Sequence, residues 1–157
     1  MKLSIMTMLL LFSFAIKAGM ANEIRIVNVS FPGPGKPKTE VDRNRNWYTN
    51  HFSVSGSYKT EVEVECNIPM NTAFNVRVYA IVLGNRISLG DARVGRAHSS
   101  GNVFEAFHIY PSSANFYGNC EFVCVVDADN EIVETDESSA TNEWRFSATI
   151  HRAGESF

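Results

Sequence analysis

The stretch Tyr58-Lys59-Thr60-Glu61-Val62-Glu63-Val64-Glu65-Cys66-Asn67-Ile68 decides the fold. Val62, Val64, Cys66 and Ile68 alternate with Glu61, Glu63, Glu65 and Asn67, so a period of two puts the apolar set on one face and the acids on the other. That pattern predicts a half-buried strand. Working outward, Phe74 to Leu83 sets Val76, Val78, Ala80 and Val82 against Arg77, Tyr79 and Ile81. Gly84-Asn85 then fits the centre of a tight type II′ hairpin turn leading into Arg86 to Leu89. Further strands are expected at Glu23 to Phe31, Val103 to Tyr110, Asn119 to Val126 and Asn142 to Arg152. No apolar helical spacing follows residue 21, so the chain reads as all-β: about seven strands in two packed antiparallel sheets, without crossover helices. The prolines and glycines from Pro32 to Pro37 close the first strand, and a polar connection runs on to Trp47 and Tyr48.

Residues 1–21 follow the plan of a secretory signal peptide, with Lys2, the apolar stretch Leu3 to Ile16, and small residues at Gly19 and Ala21. The apolar stretch is short for a permanent span of a bilayer core of ~30 Å, so cleavage before Asn22 is expected. The product would be exported, periplasmic or extracellular. Residues 22–157 hold no second long apolar run and form one expected domain, with no membrane span after cleavage. Without Lys2 and Lys17, 12 basic residues face 17 acidic ones, a net charge of -5. The basic side chains are scattered, which argues against nucleic acid as a partner.

Oxidising conditions outside the cytoplasm allow disulfides to persist, and the chain has 3 cysteines. Cys120 and Cys124 share one strand and one face about 13 Å apart, whereas bridged Cα atoms lie within about 7 Å, so these two cannot pair. Cys66 stands late in the second long strand and Cys124 late in the sixth, two strands that face each other and run the same way in an immunoglobulin-like sandwich. A Cys66 to Cys124 bridge is therefore expected, leaving Cys120 as a small buried apolar residue or, alternatively, as a reactive or intermolecular thiol.

The segment Val125-Val126-Asp127-Ala128-Asp129-Asn130-Glu131-Ile132-Val133-Glu134-Thr135-Asp136-Glu137 closely resembles the end of the CARDB family, the cell adhesion related domain found in bacteria. Asp127, Asn130, Ile132, Glu134, Asp136 and Glu137 match in order and spacing, while Ser139-Ala140 stands where that family has Asn-Asn. The resemblance implies an immunoglobulin-like β-sandwich, usually a non-catalytic module of surface or secreted proteins. Physically, a connection of about fifteen residues is long for a hairpin and must brace its own backbone, which Asp, Asn and Thr side chains can do. Ile132 and Val133 would anchor it. The sharper alternative is calcium, for which Asp127, Asp129, Asn130, Glu134 and Asp136 offer hard oxygen ligands. Against it, the turn glycine and bidentate Glu of an EF-hand are missing at the required spacing.

His51, His98, His108 and His151 show no paired spacing, so any zinc site would have to be assembled by the fold. No nucleophile elbow, phosphate loop or Cys-x-x-Cys occurs, and an enzyme is not expected. Trp47 and Tyr48 with Arg45 would form an exposed platform for a protein or glycan. The blander reading has Trp47 plugging one end of the sandwich, and Trp144 packed beside Phe146 and Ala148. Together these features predict a non-catalytic binding or adhesion-type module. The alternatives are a structural subunit assembling through strand edges, or a calcium-dependent glycan- or protein-binding domain.

Overall fold

The computed structural model describes residues 22–31, 39–40, 51–68, 72–95, 101–134 and 142–155. Their strands are β1 (Glu23–Phe31), β2 (Thr39–Glu40), β3 (His51–Ser53), β4 (Tyr58–Asn67), β5 (Phe74–Val82), β6 (Asn85–Val94), β7 (Gly101–Ile109), β8 (Gly118–Val126) and β9 (Glu143–His151). A 3-10 turn, Pro111–Ala114, lies between β7 and β8. One sheet runs β2-β1-β4-β7 and the other β3-β9-β8-β5-β6. Among the described strands β3 with β9 is parallel and the other pairs are antiparallel. The seven long strands are those the sequence predicts, and the two-sheet sandwich is the predicted class.

Period two explains the core. Val62, Val64 and Cys66 are at most 2% exposed, while the alternating Glu61, Glu63 and Glu65 face solvent at the outer surface of the first sheet. From the second sheet Val76, Val78, Ala80, Phe122 and Cys124 meet them, all fully buried. Val64 and Phe122 belong to one hydrophobic cluster. Burying each such Val, Ile or Phe contributes roughly 1.5–3 kcal/mol, which is why one register of each strand wins.

One end of the core is aromatic. Phe52 of β3 stacks on Phe122 with ring centroids 5.1 Å apart and meets Phe31 at 5.1 Å and Tyr58 at 4.8 Å. Phe52 therefore fills an end of the sandwich, a role the sequence reading offered to Trp47, which lies outside the described residues. Trp144 packs against the core as expected, half-buried.

Two local expectations need correction. The β5–β6 turn is centred on Leu83 and Gly84, with φ of 50° and 80°, and Val82 opposes Asn85 in register. Two successive left-handed residues make a type I′ turn, one residue earlier than the type II′ turn at Gly84-Asn85. The inward set of β5 fixes that register, and Leu83 accepts the left-handed backbone while its side chain stands 93% exposed. Second, β6 continues past Leu89 to Val94 through a bulge, because Val78 pairs with Gly90 whereas Tyr79 pairs with Ser88. A Cβ at Gly90 would sit 2.3 Å from the His108 carbonyl oxygen, so only glycine lets β6 approach β7 so closely. Nearby, the Tyr110 N–H donates to the Leu89 carbonyl at 2.8 Å.

Candidate functional site

The connection after β8 starts where Asp127 leaves the strand with φ of 49°, a backbone state that Asp and Asn tolerate better than most residues. Its carboxylate turns back along the chain. Oδ1 accepts the Glu131 N–H and Oδ2 the Ile132 N–H, each at 2.9 Å. The Asn130 N–H donates to the Asp127 carbonyl at 2.8 Å, and Asn130 itself has φ of 54°. Ile132 is thereby pressed into the core at 4% exposure, whereas Val133 points outward at 82%. The anchor is Ile132 alone.

Glu134 closes the same segment against the first sheet. One carboxylate oxygen accepts the Ile24 N–H of β1 at 2.7 Å and the other the Asn142 side-chain amide at 2.7 Å. Asn22 adds a bond from its side chain to the Val133 carbonyl at 3.2 Å. The start of β1, the start of β9 and the end of this connection are thus tied through one carboxylate that is 7% exposed.

Asp129 is spent differently. It takes hydrogen bonds from the Asn75 amide and, at 3.1 Å, from the Arg77 guanidinium, and these hold its carboxyl below the usual carboxylate range. Asp127, Asp129 and Glu134 therefore engage separate donors, and no cluster of three metal-ligating side chains occurs among the described residues. Asn130 contributes turn geometry, and Asp136 lies outside the described residues. Both oxygens of Asp127 and of Glu134 accept protein N–H groups, which hold these two carboxylates toward the backbone and Asn142.

The outer face of the second sheet carries an ion-pair ladder the sequence reading missed. Glu143, its side chain 10% exposed, receives Arg86 on one oxygen and Arg145 on the other, the latter at 2.6 Å. Arg145 also reaches Glu121 at 3.1 Å. Burial by itself would raise the Glu143 pKa, but the hydrogen bonds and charges of Arg86 and Arg145 outweigh it and leave the carboxyl below its ordinary value. Tyr79 lies between the guanidinium groups of Arg77 and Arg86, 5.9 and 5.7 Å from its ring centroid. Val123, in register between Tyr79 and Arg145, faces outward and is nevertheless 0% exposed. The legible signal was Arg77 and Tyr79 alternating with the core set of β5; the partners across β8 and β9 needed the register.

The histidines are also brought together in a way their spacing did not announce. Parallel pairing of β3 with β9 sets His51 Nδ1 2.8 Å from His151 Nε2. Glu155 Oε2 lies 3.5 Å from His151 Nδ1, placed by the turn in which its carboxylate also accepts the Arg152 N–H. With ring centroids 5.0 Å apart the two nitrogens meet end to end, as a hydrogen bond between the rings requires. His108 is exposed on β7, and His98 lies outside the described residues.

All three cysteines are thiols in the structure, and the expected Cys66 to Cys124 bridge is not formed. Cys66 on β4 and Cys124 on β8 are buried on opposite sheets, as expected, but β8 approaches the first sheet chiefly through β1 rather than β4. Packed sheets lie about 10 Å apart, too far for a bridge unless two positions are brought directly together. Burial pushes the Cys120 thiol up to about 11 and that of Cys124 further. Desolvation, with the Glu65 charge adding to it, raises Cys66. Such thiols are poor nucleophiles at neutral pH. Trp47, Tyr48 and Arg45, the expected platform, lie outside the described residues.

A two-sheet antiparallel sandwich closed at one rim by a braced acidic connection is an immunoglobulin-like architecture. The crystal structure of the CARDB domain of the PF1109 protein from Pyrococcus furiosus, in complex with di-metal ions, matches it with a TM-score of 0.52. Sequence identity is 17%, covering 83% of this chain and 94% of that one. A solution structure of the same domain gives a TM-score of 0.47 at 19% identity, covering 83% and 95%. This protein thus has the fold of a CARDB domain, as its acidic segment suggested. No protein-family model and no curated protein matches its sequence.

Proposed function

We propose that the chain is an exported, non-catalytic binding module of the adhesion type, with a protein or a glycan as partner. The observation that carries this reading is how the carboxylates of the β8–β9 connection are used. Asp127 and Glu134, both buried, have both oxygens engaged by N–H donors, three from the backbone and one from the Asn142 side chain. A general acid or base needs a carboxyl available to substrate, so this segment works as a brace. The CARDB-like sandwich supports the adhesive sense, and residues 1–21 support export.

The test has two arms. Expressed with residues 1–21, the exported product should begin at Asn22 by intact mass. Immobilised on glycan and extracellular-protein arrays, it should capture a ligand, and Trp47→Ala, Tyr48→Ala or Arg45→Ala should weaken capture if the platform is the contact. Turnover of a hydrolase substrate panel that vanishes on replacing Glu134 or one of the histidines would overturn the reading.

A further inference from the structure

Four strands terminate the sheets: β2 and β7 in the first, β3 and β6 in the second. An open edge presents unpaired peptide N–H and C=O groups, and proteins guard it by shortness, bulges or charge. β2 has 2 residues and β3 has 3. β6 carries Arg86, Asp91 and Arg93, and its bulge at Gly90 presses on β7 at His108. From Gly101 to Phe107, β7 is neither short nor bulged against β4, and its single charge is Glu105. It pairs with β4 on one side, and no described strand pairs on the other. At its centre Phe104 is 66% exposed.

The neighbouring charges specify what this edge accepts. Glu105 opposes the buried Val62, so it points to the inner side of the sheet, half-buried at the rim, and no ion pair joins it to a described residue. Glu63, in register with Phe104, takes the Asn102 amide at 2.5 Å, while Lys59 and Arg25 pair with Glu61 and Glu65. A second copy of the chain is a poor occupant. Two β7 strands related by a two-fold axis at Phe104 would set Glu105 opposite Val103 with no cation, and would join two acidic β4 rows in one sheet.

The complement is a basic strand. We propose that β7 is a strand-addition site for an extended, basic segment of another protein. A Lys or Arg of that segment lies opposite Glu105 on one face, and an apolar or aromatic side chain lies opposite Phe104 on the other. Main-chain bonds to the open edge supply affinity, and the two side chains select the partner. The inference rests on the reading of the chain as a binding module and names the partner's chemistry and its place.

A labelled peptide of about ten residues alternating Lys and Val spans β7 and serves as the probe, with a Glu/Val peptide and a Lys/Val peptide carrying Pro at alternate positions as controls. By fluorescence anisotropy the full-length chain should bind the Lys/Val peptide alone, more weakly as salt rises. Phe104→Ser should lower affinity about tenfold. Glu105→Lys should abolish that binding and admit the Glu/Val peptide. Should either variant fail to fold, hydrogen exchange on the unaltered chain decides, since the peptide should slow amides in residues 103–107. Equal binding of the three peptides, no slowing there, or a dimer that Phe104→Ser dissolves would each overturn the proposal. If the basic peptide does not bind while the arrays still register a ligand, this site falls and the binding-module reading stands; silence in both removes both.

Discussion

Asp127 shows how much a single side chain can fix. Its left-handed backbone ends β8, and its two oxygens hold the N–H groups of Glu131 and of the buried Ile132, the latter of which would otherwise be stranded near the core. Asp127→Ala removes both acceptors and leaves a non-glycine residue at φ of 49° with no local hydrogen bond in return. The expected loss is about 1–3 kcal/mol in urea unfolding, the cost of leaving the buried Ile132 N–H unsatisfied, with a smaller share from the part-buried Glu131 N–H. Glu143 makes a prediction with a sign in pH. Its carboxyl is held below the ordinary glutamate value of 4.5, so its contribution is full above that value and disappears as pH falls through the lowered one. Glu143→Gln should therefore unfold at lower urea than the unaltered chain at pH 7, and the gap should close in the acid range below about 4.5. A gap that stays constant down to the lowest pH at which the chain folds would mean that Arg86 and Arg145 do not set the titration.

The element scale separates what the sequence states from what it leaves open. Alternation over Tyr58–Asn67 gives β4 its inward face residue by residue, because a slip of one would carry Val62, Val64 and Cys66 into water. No such penalty acts at the hairpin tip, where side chains are exposed on either assignment, and there the turn falls one residue earlier than Gly84-Asn85 suggests. β3 was illegible for another reason: 3 residues carry too little periodicity, and Phe52 is recognisable as core only once β9 lies beside it. The hairpin yields a prediction. Leu83 occupies the first left-handed position of a type I′ turn, a position that favours Asn, and its side chain is 93% exposed. Leu83→Asn should raise stability by about 1 kcal/mol, read as a higher melting midpoint with an unchanged circular dichroism spectrum. A fall in the midpoint would place the turn elsewhere.

At the scale of the molecule, the candidate site was legible as a segment and not as a set of partners. The string from Asp127 to Glu134 announced a self-bracing connection, but nothing local could show that Glu134 reaches back to the Ile24 N–H, 110 residues away in the chain. The same holds for His51 with His151 and for Arg86 with Glu143, contacts made by strand order rather than by spacing. Strand order also gives the described acids their partners. A calcium site needs 6–8 oxygens converging on one point, with charges close enough to repel one another until the ion arrives. Here Asp127 faces the backbone of its own loop, Asp129 faces Asn75 and Arg77, and Glu134 faces β1 and Asn142, so the charges are already answered by donors in three directions. An ion would have to draw these separately held carboxylates together, and anything that binds the folded state raises its midpoint by mass action. The melting midpoint of the full-length chain should therefore be the same in millimolar calcium and in chelator. Asp127→Ala should lower it equally in both. A calcium-dependent rise that Asp129→Asn or Asp136→Asn removes would show instead that the connection rearranges around the ion, giving up Arg77 to do so.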